Sequence, residues 1–440
     1  MSYKRIFNNL TTNSTIPPGV HGRISYSEYD LPNGLHVILH EDHKAPIVCV
    51  NIAYHVGSKN ETPQRAGFAH LFEHLLFEGS TNVPRGAFDK HITEAGGFDN
   101  AYTTEDKTNY YEVLPAHQLP LALWLESDRM LGFVLGEDSL RTQKDVVKEE
   151  KRERYDNTPY GTLSERMMRL AYTSFPYKWT VIGDMETIEA ATLSDVKDFY
   201  ANFYAPNNAV LVVSGAFEND ETRALIEQYF GSIPSGSTPI IRPIFTEPDL
   251  TAERREIVNN EAVPLPAVFY AYRMPPEGTI DAIALDLLTD ILSTGRSSRL
   301  YQRLIYNDKI ASEVSSYVDL RECPGLVWFY GVANRPDQDY TPIEAAIEEV
   351  ITIVRTESVT EEELQKVKNK TEMRSVASRV TASGKADQLA HFYTFFGDTS
   401  RVNSVIEQYA AITTEDIRTA AAKYLTPEKR CAVVFLPPID

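Results

Sequence analysis

The sequence predicts an α+β fold: two homologous α/β-sandwich halves, each a mixed or antiparallel sheet packed with helices, joined by a linker. Three observations carry this expectation. A helix-turn-strand segment occurs twice at a constant offset, strands rich in β-branched residues open each half ahead of long helical stretches, and a Gly-, Ser- and Pro-rich segment lies between them. The expected division is a first half over residues 1–230, a linker over 231–250 and a second half over 251–440.

The repeat sets the organisation. Thr192-Leu-Ser-Asp195, running on through Phe203 and Pro206 to Val213, is matched by Thr413-Thr-Glu-Asp416, running on through Tyr424 and Pro427 to Val434. The offset is 221 residues throughout, without a gap. Each copy reads as a helix opened by a Thr N-cap with an acidic residue three positions later, closed before a Pro and followed by a buried strand. Upstream, Gly34–His40 and Ile47–Tyr54 carry the β-branched and apolar residues of strands in the first half, as Ala267–Tyr272 does in the second. Between the halves, Gly231-Ser-Ile-Pro-Ser-Gly-Ser-Thr-Pro239 and the residues on to Pro243 have the composition of a connecting loop.

Length and composition bound the classes that remain. A chain of 440 residues, 42% hydrophobic and 24% charged, is long enough to bury sizeable cores and has an ordinary folded composition. Its 43 basic against 62 acidic residues give a net charge of −19, which argues against nucleic-acid or anionic-membrane binding and favours a positively charged partner or substrate. Cys49, Cys323 and Cys431 are few, far apart and without a CxxC pair, so they read as small buried hydrophobes. No run of 18 apolar residues suggests a transmembrane helix, and Met1–Asn9 does not read as a signal peptide. A cytoplasmic location is expected, or a periplasmic one if a targeting segment has been removed.

The chemistry is concentrated in the first half, since nine of the ten histidines precede residue 120. Among them is His70-Leu-Phe-Glu73-His74, the inverted zincin order. On a helix, residues four apart share a face, so His70 and His74 present two imidazoles to one tetrahedral Zn²⁺. Glu73 lies on that face as well, where a carboxylate takes a proton from the attacking water without itself being a ligand. Leu71, Leu75, Leu76 and Phe77 supply the apolar side of the helix. A third ligand is sought in the acidic run Gln143 to Arg154, most of which reads as a solvated helix face. At about 100° per residue Glu150 falls about 40° from Val146, on the Val146/Val147 side, whereas Glu149 points away. An inward carboxylate needs a compensating cation, and a zinc ion is one. Gln143, seven residues earlier, shares the face and is expected to hydrogen-bond behind the ligands.

These residues resemble the pitrilysin/insulysin superfamily of inverzincin peptidases. The likeness is greatest to its small two-domain subunits, typified by mitochondrial processing peptidase and its bacterial relatives. It covers nearly the whole chain and rests on His70-Leu-Phe-Glu73-His74, Glu150, Gly96-Gly97-Phe-Asp-Asn100-Ala101-Tyr102-Thr103, Arg154-Tyr-Asp-Asn157-Thr-Pro-Tyr160-Gly161 and Gly295-Arg-Ser-Ser298-Arg299-Leu300. The resemblance implies a zinc metalloendopeptidase with one Zn²⁺ per chain on His70, His74 and Glu150, and Glu73 as general base. It also implies that Asn100, Ala101 and Tyr102 lie on an edge strand to which an extended peptide adds by backbone pairing. Read without the family, that segment is a Gly-led edge strand or a plain hairpin.

Two departures from the family pattern stand out. Gln143 replaces a glutamate found in several relatives. An Arg and a Tyr seven residues apart, thought to bind the substrate carbonyl, are replaced by Ile305 and Ser312 when the register is anchored on Gly295–Leu304. Arg299 and Tyr306 have the same separation but fall out of register. The chain is therefore expected to be completed by a homologous partner subunit, as a heterodimer or homodimer. Two other readings compete. A noncatalytic assembly subunit would be expected to have lost ligands or base, and a structural zinc site would need a fourth ligand, whereas the nearest spare histidines, His91 and His117, read as ordinary.

Overall fold

Five strands of each half follow one connection pattern. In the computed structural model, which describes residues 22–174, 176–236, 240, 242, 245–259 and 262–438, the first sheet is built from β1 (Ser27–Asp30), β2 (His36–Glu41), β3 (Ile47–Tyr54), β4 (Phe98–Thr103), β5 (Thr108–Pro115) and β6 (Ala209–Gly215). The second is built from β7 (Arg254–Asn259), β8 (Ala267–Arg273), β9 (Ala311–Asp319), β10 (Leu326–Ala333) and β11 (Arg430–Leu436). Their orders are β1-β2-β6-β3-β5-β4 and β7-β11-β8-β10-β9. Apart from the added β1, the orders match strand for strand, and each sheet has one parallel pair, β2 with β6 and β7 with β11. The rest of each sheet is antiparallel. Met1–Asn9, and residues 237–239, 241, 243 and 244 of the expected linker, lie outside the described residues.

The helices of the first half are α1 (Phe68–Leu75), α2 (Ala87–Glu94), α3 (Leu119–Leu131), α4 (Glu137–Lys151), α5 (Leu163–Ala171), α6 (Met185–Ala190), α7 (Leu193–Phe203) and α8 (Asn219–Phe230). Those of the second are α9 (Ile280–Ser293), α10 (Thr341–Thr356), α11 (Glu361–Ser378), α12 (Ala382–Phe396), α13 (Val405–Ala411) and α14 (Thr414–Tyr424). The repeated segment forms the α7–β6 and α14–β11 units, and both helices open with the expected reciprocal cap. Asp195 N–H donates to Thr192 Oγ1 at 3.2 Å while Thr192 N–H donates to the Asp195 carboxylate at 3.1 Å. The Thr413/Asp416 pair repeats this at 3.1 and 2.8 Å. The strand expected from Gly34 starts two residues later, because Gly34, with φ 90°, belongs to the turn closed by Gly34 N–H on Leu31 O. Among the described residues no helix is long and apolar enough to cross a membrane.

Strand side chains alternate between two faces, and here both faces of each sheet are buried, so the central strands are apolar almost throughout. Val37, Leu39, Val50, Ile52, Leu211 and Val213 pack beneath the first-half helices. Their neighbours Ile38, Cys49, Ala53, Val210 and Val212 face the other way, onto Ala386, Leu389 and Ala390 of α12. The second sheet mirrors this: Val268, Tyr270, Val327 and Phe329 pack beneath the second-half helices. Phe269, Trp328, Val433 and Phe435 face Met167, Met168 and Ala171 of α5. The halves thus exchange helices. The division expected at 230 and 251 separates the two sheets, but it does not separate the packing.

Where the halves meet, the β4–β5 turn faces the β9–β10 turn. Arg321 pairs with Glu105 at 2.8 Å, Glu322 N–H donates to Asp106 at 3.1 Å, and Lys59 contacts Asp106 at 2.7 Å and also Glu322. His55 Nε2 lies 2.7 Å from Glu322 Oε2. Burial opposes ionisation of Glu322, but the bond to His55 and the charges of His55 and Lys59 outweigh it and hold the carboxyl down to about 2.

Leu389→Ala, at a fully buried site between α12 and the first sheet, is expected to lower unfolding free energy by about 2–5 kcal/mol in chemical denaturation. Glu322→Gln is expected to cost about 2 kcal/mol at neutral pH. Because the native carboxyl is held below its ordinary value, its ionised form stabilises the fold above pH 4.5 and ceases to do so as pH falls toward 2. The gap between wild type and Glu322→Gln should therefore close on acidification across that window; a constant gap would show that ionisation is not the cause.

Candidate metal centre

Helix α1 is placed by its first residues. Gly67 precedes it in the left-handed region, with φ 95°, and a Cβ there would come within 2.8 Å of Ile188 Cδ1 and 2.9 Å of Ile182 O. The buried carboxylate of Glu61 accepts the otherwise unpaired N–H groups of Gly67 and Ala69 at 2.8 and 2.7 Å, compensating the positive end of the helix. Burial pushes the Glu61 carboxyl up, and these N–H donors act in the opposite direction. Phe68, Ala69, Leu71, Phe72 and Leu75 enter the core, with Leu76 buried just beyond. His70, Glu73 and His74 are left on the opposite face. Glu61 gave no signal in the sequence, since nothing in its irregular surroundings marked it as a cap.

Glu150 reaches this face from α4. Its side chain is 15% exposed, and Oε2 stands 3.6 Å from His70 Nε2 and 3.4 Å from His74 Nε2. The supporting helix face differs from the expected one. Val147 and Leu140 are buried, but Val146 is 42% exposed. The contact between two crossing helices is a narrow stripe that continues at three- and four-residue steps, so Glu150 follows Val147 by one turn while Val146 falls outside. The Gln143 side chain is engaged by a residue just beyond α1. Its amide donates to Glu78 Oε1 at 2.6 Å, and Glu78 pairs with Arg85. Two helical turns separate Gln143 from Glu150 by about 10 Å along the axis of α4.

The donor set fits a divalent ion. His70, His74 and Glu150 each offer one ligand atom, all within 4.8 Å of one another. Tetrahedral coordination with bonds of ~2.0–2.1 Å separates its donors by roughly 3.4 Å and, with three protein ligands, leaves one position open. Burial and the neighbouring His74 hold the His70 imidazole down to about 4. The contact with His74 lowers the Glu150 carboxyl against the opposing effect of burial, with help from His70 and Arg154, whose Nη1 lies 2.7 Å from Glu150 Oε1. Burial raises the Glu73 carboxyl, opposed by the hydroxyl of Thr103, which donates to Glu73 Oε2 at 2.6 Å. The two carboxylates are thus shifted in opposite directions by their surroundings. A second cluster, Glu41, His43 and Glu218, is more open to solvent.

Beside α1 runs β4, the outermost strand of the first sheet, which among the described residues pairs with β5 alone. Gly97 lets it start, since a Cβ there would lie 2.4 Å from Leu114 Cδ2. Asn100, Ala101 and Tyr102 are all on this edge strand, but their side chains differ in setting. Asn100 Oδ1 accepts the Ala101 N–H at 2.8 Å, and the Tyr102 hydroxyl donates to Asp387 of α12. Thr103 points to the opposite side, toward Glu73. Strand alternation was the available signal for that contact; the residue was visible in the motif, but its partner was not.

In the second half, the two replaced positions are committed to the fold. Ile305 packs against the core and Ser312 Oγ donates to Ala333 O at 2.8 Å. Arg299 forms a two-point pair with Glu363, with both contacts at 2.8 Å, and Tyr306 is exposed. His91 rests edge-on against Trp124.

Known proteins share this fold. Residues 36–184 match a family described as insulinase (peptidase family M16), and residues 190–371 match one described as the peptidase M16 inactive domain. A Helicobacter pylori protein named zinc protease PqqE is 30% identical over 410 residues, covering 93% of this chain and 92% of that protein. A solved protease from Helicobacter pylori superposes with a TM-score of 0.89 at 29% identity, over 94% of this chain and all of that one. The periplasmic protease PqqL from Escherichia coli shares the fold, with a TM-score of 0.76 at 19% identity; the match covers 93% of this chain but 47% of that one. With relatives matched over nearly its full length and both halves recognised, the chain belongs to the insulinase family of peptidases, family M16.

Proposed function

We propose that this chain is a zinc-dependent metalloendopeptidase subunit that hydrolyses peptides or unfolded oligopeptides. The observation that carries the reading is the convergence of His70 Nε2, His74 Nε2 and Glu150 Oε2 beside Glu73 and an open strand edge. One Zn²⁺ on His70, His74 and Glu150 would supply a Lewis acid that polarises the scissile carbonyl and makes water acidic enough to attack near neutral pH. The chain's own residues do the rest. Backbone groups of Asn100, Ala101 and Tyr102 would hold an extended peptide beside β4, and Glu73 would take the proton of the attacking water and return it to the leaving amine.

A homologous subunit, in a heterodimer or homodimer, would complete the site with the Arg and Tyr that Ile305 and Ser312 do not provide. The match to about half of a longer chain of the same fold supports such pairing. The same two positions favour the competing reading of a noncatalytic assembly subunit, against which stand the intact ligands and base.

Glu73→Gln is expected to retain one zinc per chain by elemental analysis and to lose peptide cleavage by at least about a hundredfold. His74→Ala should lose the metal itself. Undiminished cleavage by Glu73→Gln would remove the proposed base, and zinc retained at full affinity by His74→Ala would remove the proposed ligand set. Adding a homologous subunit that carries the Arg and Tyr should raise kcat; full activity of the isolated chain, unchanged by any such subunit, would overturn the pairing.

A further inference from the structure

Glu73 is the one charged group of the proposed site whose carboxylate is held by a neutral side chain. Among the described residues its hydrogen bond is to Thr103, whose hydroxyl lies 2.6 Å from Oε2, leaving Oε1 without a partner. Thr103 is a suitable fixed point. A Thr has a single O–H to donate and a restricted first side-chain torsion. It ends β4, and the chain just beyond is anchored on both sides of the molecule: Ser58 N–H donates to Thr104 O at 3.2 Å, Lys59 N–H to Glu105 O at 2.9 Å, and Arg321 of the second half pairs with Glu105 at 2.8 Å. The hydroxyl is therefore carried on a strand end that has little freedom to move.

Building on the metallopeptidase reading, we infer that Thr103 is the positioning residue of the base, selecting Glu73 Oε1 as the proton-accepting oxygen and keeping Glu73 from becoming a fourth metal ligand. The second part follows from geometry. Glu73 shares a helix face with His70 and His74, and a carboxylate free to turn there could close the coordination position that water needs. Thr103 holds one of its oxygens toward β4 instead. Because Asn100, Ala101 and Tyr102 precede Thr103 on the same strand, the peptide edge and the base share one rigid support.

The test compares Thr103→Val and Thr103→Ser with wild type and with Glu73→Gln, using a fluorogenic peptide, elemental zinc analysis, chelator competition and thermal unfolding. Thr103→Val should fold, retain zinc at least as tightly as wild type and lose kcat by about tenfold to a hundredfold, with KM within about twofold. Thr103→Ser, which restores the hydroxyl, should recover kcat to within about threefold of wild type. Thr103→Ala takes the place of the Val variant if that one does not fold. Wild-type kcat without the hydroxyl, equal losses in the Val and Ser variants, or weakened zinc binding would each overturn the inference while leaving Glu73→Gln to judge the base separately. A fully active Glu73→Gln would instead remove Glu73 as the base, the part of the metallopeptidase reading on which the inference rests.

Discussion

Each sheet has two apolar faces, and the half that contributes its strands covers only one of them. The first sheet depends on α12 for its second face and the second sheet depends on α5. At roughly 1.5–3 kcal/mol for each fully buried Val, Leu or Ile, the contacts of Ile38, Val210, Val212, Leu389 and Val402 alone amount to about 10 kcal/mol, as much as the net stability of an ordinary domain. Neither half can hide its sheet without the other. The exchange brings the two equivalent hairpin turns together, and their charged contacts through Lys59, Asp106, Arg321 and Glu322 are a consequence of that symmetry.

The candidate site is set into this frame at a point where several constraints meet. Helix α1 buries its aromatic side in the first core while Glu61 fixes its N-terminus. That leaves His70, Glu73 and His74 facing α4 and β4. Among the described residues the second half adds none to the three candidate ligands, yet Asp387 of α12 receives the Tyr102 hydroxyl, and Arg321 holds the turn that follows Thr103. The half matched by a family described as the peptidase M16 inactive domain thus contacts the edge strand and the turn beyond it.

Much of the fold was legible because its signals are local and repeat. Thr192 with Asp195 and Thr413 with Asp416 announce helix starts through a cap that needs only four residues, and the apolar runs ending in Val213 and Val434 can be strands buried on both sides. The candidate metal face was legible for a similar reason: on a helix, spacing fixes direction, so His70 and His74 must project together. Glu150 was reachable by helical phase, although the face it shares runs through Leu140 and Val147, with Val146 left in solvent. The hydrogen bonds of Gln143 to Glu78, Tyr102 to Asp387 and Thr103 to Glu73 were not legible, because each joins elements whose approach depends on the packing of the whole chain.

The sequence by itself determined two related halves, the placement of the candidate site in the first, and the identity of the three candidate ligands and the candidate base. These follow from periodicity, caps and side-chain type, which act over a few residues. Tertiary structure decided that each half lends a helix to the other, that β4 lies at an edge beside α1, and that Thr103 meets Glu73, Glu61 meets the start of α1 and Arg321 meets the turn after β4. Those outcomes depend on which apolar faces are left uncovered once the sheets have formed, and that is a property of the assembled surfaces.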